Sequence, residues 1–230
     1  MPEWNGRRGK RGDNGRSRLL VVAVVPIVLA AAAVGLRWNS AHGPGHSSPT
    51  AAFTVARAAA TDSGTGNAYR VEVEDGSGLD PDGAAAVVAH ILASPRGWSH
   101  HGEHRFRQVA EGPAGLVIRI ATPETTDRIC GKSGLDTHGE VNCRVGADVM
   151  VNLKRWQTGS PEFDGPLADY RALIINHEVG HWLGHGHETC PGKGRPAPAM
   201  MQQIYGLKGC VANAWPYDTE GRYLGGPSAP

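Results

Sequence analysis

Four histidines and a glutamate crowd into eleven residues: His177-Glu178-Val179-Gly180-His181-Trp182-Leu183-Gly184-His185-Gly186-His187. On a helix, His177 and His181 project from one face on consecutive turns. That spacing lets two imidazoles grip one metal ion. Glu178 points about 100° away, out of the same first shell but within reach of a water held by the metal. Two ligands leave a site incomplete. Gly184 can take a left-handed conformation and end the helix, so the chain turns and His187 comes back as a third ligand. Three neutral imidazoles and one water make the open tetrahedral site expected of catalytic zinc. The alternative is a continued helix on which His177, His181 and His185 form a ladder; the glycines at 184 and 186 favour the break. A purely structural cluster would need many hydrogen-bond partners for its polar atoms.

The extended pattern H-E-x-x-H-x-x-G-x-x-H, complete at His177, Glu178, His181, Gly184 and His187, resembles the metzincin clan of zinc metalloproteases. The resemblance implies a methionine turn beneath the metal, and Pro196-Ala197-Pro198-Ala199-Met200-Met201-Gln202-Gln203 is similar to one. Met200 is the expected residue, with Met201 as the alternative. Some clan members bring a tyrosine to the metal two residues after that methionine; here Gln202 and Gln203 follow, and the nearest tyrosine is Tyr205. From Tyr69 to about Tyr217, through CGKSGLDTHGEVNC and GLKGCVANAWPY, the chain also resembles the DUF3152 family of exported actinobacterial proteins. The metzincin resemblance implies a zinc endopeptidase with a central active-site helix and a loop-rich C-terminal subdomain. In it Zn2+ is held by His177, His181 and His187, and Glu178 is the general base. The substrate is a protein or peptide, aligned by strand addition on an edge strand within Asp148–Leu153. Two other readings stand beside it: a hydrolase of peptidoglycan cross-links, and a non-catalytic zinc-stabilised adhesion domain.

Other clusters carry less. Four cysteines, Cys130, Cys143, Cys190 and Cys210, are expected to pair as nearest neighbours, in an oxidising compartment. No C-x-x-C supports a second zinc site. His100, His101 and His104 have no helical register and read as a solvated loop. Asp75 to Asp80 fails the calcium-loop pattern at Leu79 and Ala86 and reads as a turn into a helix cap. Gly131-Lys132-Ser133 lacks the earlier glycine of a phosphate loop.

The elements that must position the histidines are legible in part. The helix expected over 167–183 is apolar nearly all round, as a buried central helix is. Asp80-Pro81 opens another, with Asp80 as cap. Alternation marks a strand over Tyr69–Glu74; Arg105–Ala110 and Gly115–Ala121, joined by a turn at 111–114, read as two more. Val141–Val145 and Asp148–Leu153 are shorter candidates. The class is α+β: a small twisted mixed sheet with the metal-bearing helix at its centre.

The chain has 230 residues, with 23 Lys+Arg against 22 Asp+Glu, a net charge of +1. That balance argues against a nucleic-acid partner. The charge is uneven. Residues 1–18 form a basic leader, and 19–36 (LLVVAVVPIVLAAAAVGL) hold no charge. Such a helix reaches about 27 Å, close to a bilayer's hydrocarbon thickness. Basic residues before it set the N-terminus inside. The rest faces outward, anchored by this span or released if it is a cleaved signal. Residues 37–68, rich in Ala, Ser, Gly and Thr, read as a tether, and 69–230 as the catalytic domain of a monomer.

Overall fold

The structure, a computed structural model of the chain, describes residues 51–57 and 65–230. The basic leader and the apolar span lie outside the described residues. Among those described, no helix is long and apolar enough to cross a membrane.

Two β-strand, helix, parallel β-strand units build the centre. Strand β2 (Asn67–Glu74) leads into α1 (Pro81–Ala93), which returns the chain to β4 (Leu116–Ala121). Helix α2 (Pro123–Gly131) then leads to β6 (Asp148–Asn152). Strands β2, β4 and β6 are parallel neighbours. Antiparallel strands lie outside them: β1 (Phe53–Val55) on β2, and β5 (Cys143–Val145) on β6. A short β3 (Phe106–Gln108) pairs parallel with β2. The described sheet is therefore mixed, as expected from the sequence, and its strands interleave with helices. Strands β3 and β4, adjacent in sequence, flank β2 on opposite sides, because the residues between them cross its end: Val109 N–H and Gly115 N–H donate to Tyr69 and Ala68 carbonyls.

Two corrections concern edges. The stretch 37–68 is not all tether: Phe53–Val55 pairs with Glu72–Glu74, Ala56 is fully buried, and β2 already begins at Asn67. Three residues are too few for a periodic pattern to declare a strand. The edge strand on that side of the sheet is β5, whereas β6, within the expected Asp148–Leu153, is paired on both sides.

Alternation along the strands separates two faces. Val71, Val73, Ile118, Ile120, Val149 and Val151 enter the main core against the helices. The opposite face carries Arg70, Glu72, Arg119 and Asp148. Glu72 accepts from Arg70 Nε at 2.7 Å and Arg119 Nε at 2.6 Å, and Arg119 reaches Asp148 at 2.8 Å. Burial pushes the Glu72 carboxyl up, but the bonds from Arg119 and Arg70 outweigh it and hold the group below its ordinary range.

Helix ends follow local chemistry. Asp80 accepts from Gly83 N–H at 2.8 Å, with Pro81 where no amide is needed. Thr122-Pro123 opens α2 the same way, and Glu74 reinforces it by accepting from Thr122 N–H and Thr125 Oγ1, both at 2.6 Å. A further short helix, α3 (Leu153–Thr158), follows β6 directly. Helix α4 (Leu167–Trp182) then buries Ala172, Leu173, Ile174, Ile175 and Val179 on several sides, as its unstriped apolar sequence requires.

Candidate metal centre

Helix α4 carries His177 and His181 on one face, at the floor of a cleft of about 550 Å3. It stops where glycine allows. Gly184 has φ +98°, a left-handed conformation that costs a glycine nothing. Gly184 N–H donates to the His181 carbonyl at 3.1 Å, and His185 N–H to Gly180 at 2.9 Å. These two bonds form a Schellman cap, which satisfies the last carbonyls and reverses the chain.

The reversal sends His185 and His187 different ways. The His185 ring stacks on Trp98, with centroids 4.3 Å apart and planes 23° apart. His187 returns to the helix pair. His181 Nε2 lies 3.2 Å from His177 Nε2 and 3.1 Å from His187 Nε2, and the three ligand atoms are all within 4.8 Å of one another. No other group of three among the described residues has this convergence. His100 and His101 sit in a short 3-10 turn, His100 stacked on Tyr217.

Hydrogen bonds fix which nitrogens face inward. His177 Nδ1 lies 2.9 Å from the Ala199 carbonyl, and His181 Nδ1 lies 2.9 Å from the His185 carbonyl. A carbonyl only accepts, so both Nδ1 atoms are the donors, and in the neutral rings both Nε2 atoms carry lone pairs. Burial pushes the protonated form of His177 down to about 3, helped by His181 and His187. Burial also lowers His181 and His187. The His177 and His181 lone pairs, 3.2 Å apart, repel unless a cation lies between them, and His187 Nε2 lies beside them as a candidate third donor to it. The arrangement can hold a metal ion.

Glu178, 5% exposed, lines the same cleft. Burial raises its carboxyl to about 8, against the opposing charge of Arg144. Arg144 belongs to edge strand β5 and also lines the cleft.

The methionine beneath the pair is Met200. It is fully buried in the main core, whereas Met201 joins a separate cluster with Ala197 and Cys210. Gly180, between the two helix histidines, makes room for it: a Cβ there would overlap Met200 Sδ and come within 2.8 Å of the Trp98 ring. The Ala199–Met200 segment is held from both ends. Cys190–Cys210 brackets it, and Cys130–Cys143 ties α2 to β5, the two nearest-neighbour disulfides. Gln203 donates to the Pro198 and Asn213 carbonyls, at 3.1 and 2.7 Å. Gln203 is thus a buried brace, while Tyr205 is 62% exposed at the cleft.

Sequence reasoning missed several residues of this setting: Trp98, Gln203, Asn213, Glu188 and Tyr223. None lies in a local pattern that announces a role, and Trp98, Asn213 and Tyr223 act from far along the chain. Comparison with curated proteins and with solved structures finds no match. The model of one family, described as a protein of unknown function (DUF3152), matches residues 43–214, which include the histidine cluster, Met200 and all four cysteines. The chain belongs to the DUF3152 family.

Proposed function

We propose that this protein is an exported, zinc-dependent endopeptidase of metzincin type, membrane-anchored or released, which hydrolyses peptide bonds in its cleft. The observation that carries this reading is the convergence of three histidine Nε2 atoms, two of whose rings, His177 and His181, turn their Nδ1 hydrogens away to carbonyls. Zinc with nitrogen ligands at about 2.0–2.1 Å in tetrahedral geometry separates those nitrogens by about 3.3–3.4 Å. The separations of 3.1 and 3.2 Å fit, and the carbonyls on the outer nitrogens of His177 and His181 are partners of the kind zinc-bound histidines ordinarily have. The glycine turn before His187 and the methionine under the helix pair support the metzincin reading. The two disulfides support an oxidising, exported location.

When bound, zinc supplies a Lewis acid that lowers the pKa of a water to about 7 and polarises the substrate carbonyl. The protein does the rest. His177, His181 and His187 would hold the ion at the cleft. Glu178 accepts a proton from the attacking water at its carboxylate and returns it to the leaving amine. The free edge of β5, beside the cleft, offers backbone groups to an extended peptide.

Glu178→Gln tests the assignment. The variant retains one zinc per chain, and peptide cleavage falls by about 10²–10⁴, the usual contribution of a general base. Digestion of a peptide library with and without a chelator supplies the assay. Undiminished cleavage by the variant refutes the base; release of soluble muropeptides without peptide cleavage moves the substrate to cell-wall cross-links.

A further inference from the structure

The three histidines are not held alike. His177 and His181 are fixed twice, by the helix and by a carbonyl on Nδ1. His187 lies beyond the helix, and among the described residues no acceptor faces its Nδ1. Its ring position must come from its backbone.

That backbone is clamped on both sides. Toward the core, Glu188 N–H donates to the Met200 carbonyl at 3.1 Å. Toward the surface, residues 227–229 run antiparallel to 187–189. Ala229 N–H donates to the His187 carbonyl at 2.9 Å, and Thr189 N–H donates to the Pro227 carbonyl at 2.7 Å. The Glu188 side chain locks the same pair. Its carboxylate accepts from Tyr223 Oη at 2.8 Å and from Gly226 N–H at 2.9 Å. Gly226 permits the approach, since a Cβ there would overlap the Thr189 carbonyl. Tyr223 is fixed in turn against Tyr217 and Trp98, and Trp98 carries the stacked His185 ring.

We infer that residues 223–229 are a strap which positions His187 for metal binding, with Glu188 and Tyr223 as its positioning residues. The inference rests on the metal reading of the cluster. The strap replaces the ring-to-carbonyl bond that His187 lacks: two backbone bonds and a carboxylate clasp set the third nitrogen against the other two. Loss of the clasp leaves a two-histidine site with a loosely delivered third ligand.

The test measures zinc affinity by chelator competition, and the visible spectrum of the cobalt(II)-loaded protein, in the otherwise complete chain. Glu188→Ala and Tyr223→Phe remove only the clasp; a chain stopped after Arg222 removes the whole strap. We expect zinc affinity to fall by about 10–100-fold, the range for lost outer-shell partners. The cobalt bands should move toward those of His187→Ala, a change in coordination that reduced stability alone would not produce. Circular dichroism and melting show which variants stay folded. If the stopped chain does not fold, the two point variants decide. Wild-type affinity and an unchanged cobalt spectrum in folded Glu188→Ala overturn the strap alone. Failure of the unaltered protein to bind zinc or cobalt overturns the metal reading, and the strap with it.

Discussion

Gly180 is the most informative single position under the cluster, because helix propensity and packing make opposite predictions there. A glycine in a helix interior costs about 0.5–1 kcal/mol relative to alanine, so Gly180→Ala should stabilise α4 if nothing else is touched. Here the new methyl would overlap Met200 Sδ and lie 2.8 Å from the Trp98 ring. Neither neighbour yields easily. Met200 is fully buried, Trp98 is 3% exposed, and Trp98 Nε1 donates to the Asn176 carbonyl at 2.7 Å. Overpacking of this kind costs about 1–3 kcal/mol, and two confined neighbours argue for the upper end. Subtracting a helix gain of about 1 kcal/mol leaves a net loss of about 2 kcal/mol. For a domain of this size that lowers the melting temperature by about 4–8 °C. The measurement is a thermal melt of the single variant and of Gly180→Ala/Met200→Ala. Removing the methionine side chain relieves most of the overlap, so the two changes should couple by about 0.5–3 kcal/mol in the favourable direction. A melting temperature at or above wild type in the single variant, or strict additivity in the double, refutes the argument that Gly180 exists to admit the methionine.

The remaining predictions bear on ligands, crosslinks and pH. His187→Ala should weaken zinc binding by more than the 10–100-fold that a lost outer-shell partner costs; His185→Ala keeps its backbone carbonyl on His181 Nδ1 and should bind zinc within a few fold of wild type, as chelator titration would read; the reverse order would assign the ligand to His185. Replacing either disulfide pair with serines should cost about 3 kcal/mol on a loop-entropy account, measured by denaturant melts; only loss of Cys190–Cys210, which brackets Met200, should also weaken zinc. Because Glu72 has a depressed folded-state pKa, its ion pairs contribute stability above the ordinary glutamate pKa of about 4.3. That stability is lost as pH falls through the lower folded value. Urea midpoints from pH 6 to 3 should therefore fall more steeply for wild type than for Glu72→Gln, and parallel curves would exclude this source.

How much of this was readable from the residues depends on whether the determinant is local. The cluster was legible because helix geometry converts a four-residue spacing into a shared face, and because a glycine three residues after His181 signals a cap. The cap of α1 at Asp80-Pro81 was legible for the same reason. Thr122-Pro123 carries the same signal for α2, but with few apolar residues behind it the signal stood without a periodic stripe. Strand β1 was hidden because three residues cannot show a period and its pairing partner lies twenty residues on. The neighbours of each strand were hidden too. Strands β3 and β4 are consecutive in sequence, yet β2 passes between them, and only the parallel crossovers decide that.

The two candidates for the third histidine show what the turn adds to the motif. On a continued helix His185 would share a face with His181, but the Schellman cap takes its ring to Trp98 and leaves its carbonyl facing His181 Nδ1. The same turn therefore does two things: it brings the His187 ring to the pair and supplies the acceptor that fixes the tautomer of His181. The Ala199–Met200 segment repeats the arrangement, with the Ala199 carbonyl on His177 Nδ1 and the Met200 side chain packed under Gly180. Each helix histidine is thus oriented by a backbone carbonyl of the loop that follows it, which no choice of side chain at 185 or 199 can replace directly. Substitution of the His185 side chain should be tolerated as long as the backbone keeps its path, whereas changes to Gly184, whose φ of +98° sets that path, should disorder both the tautomer and the third ring together.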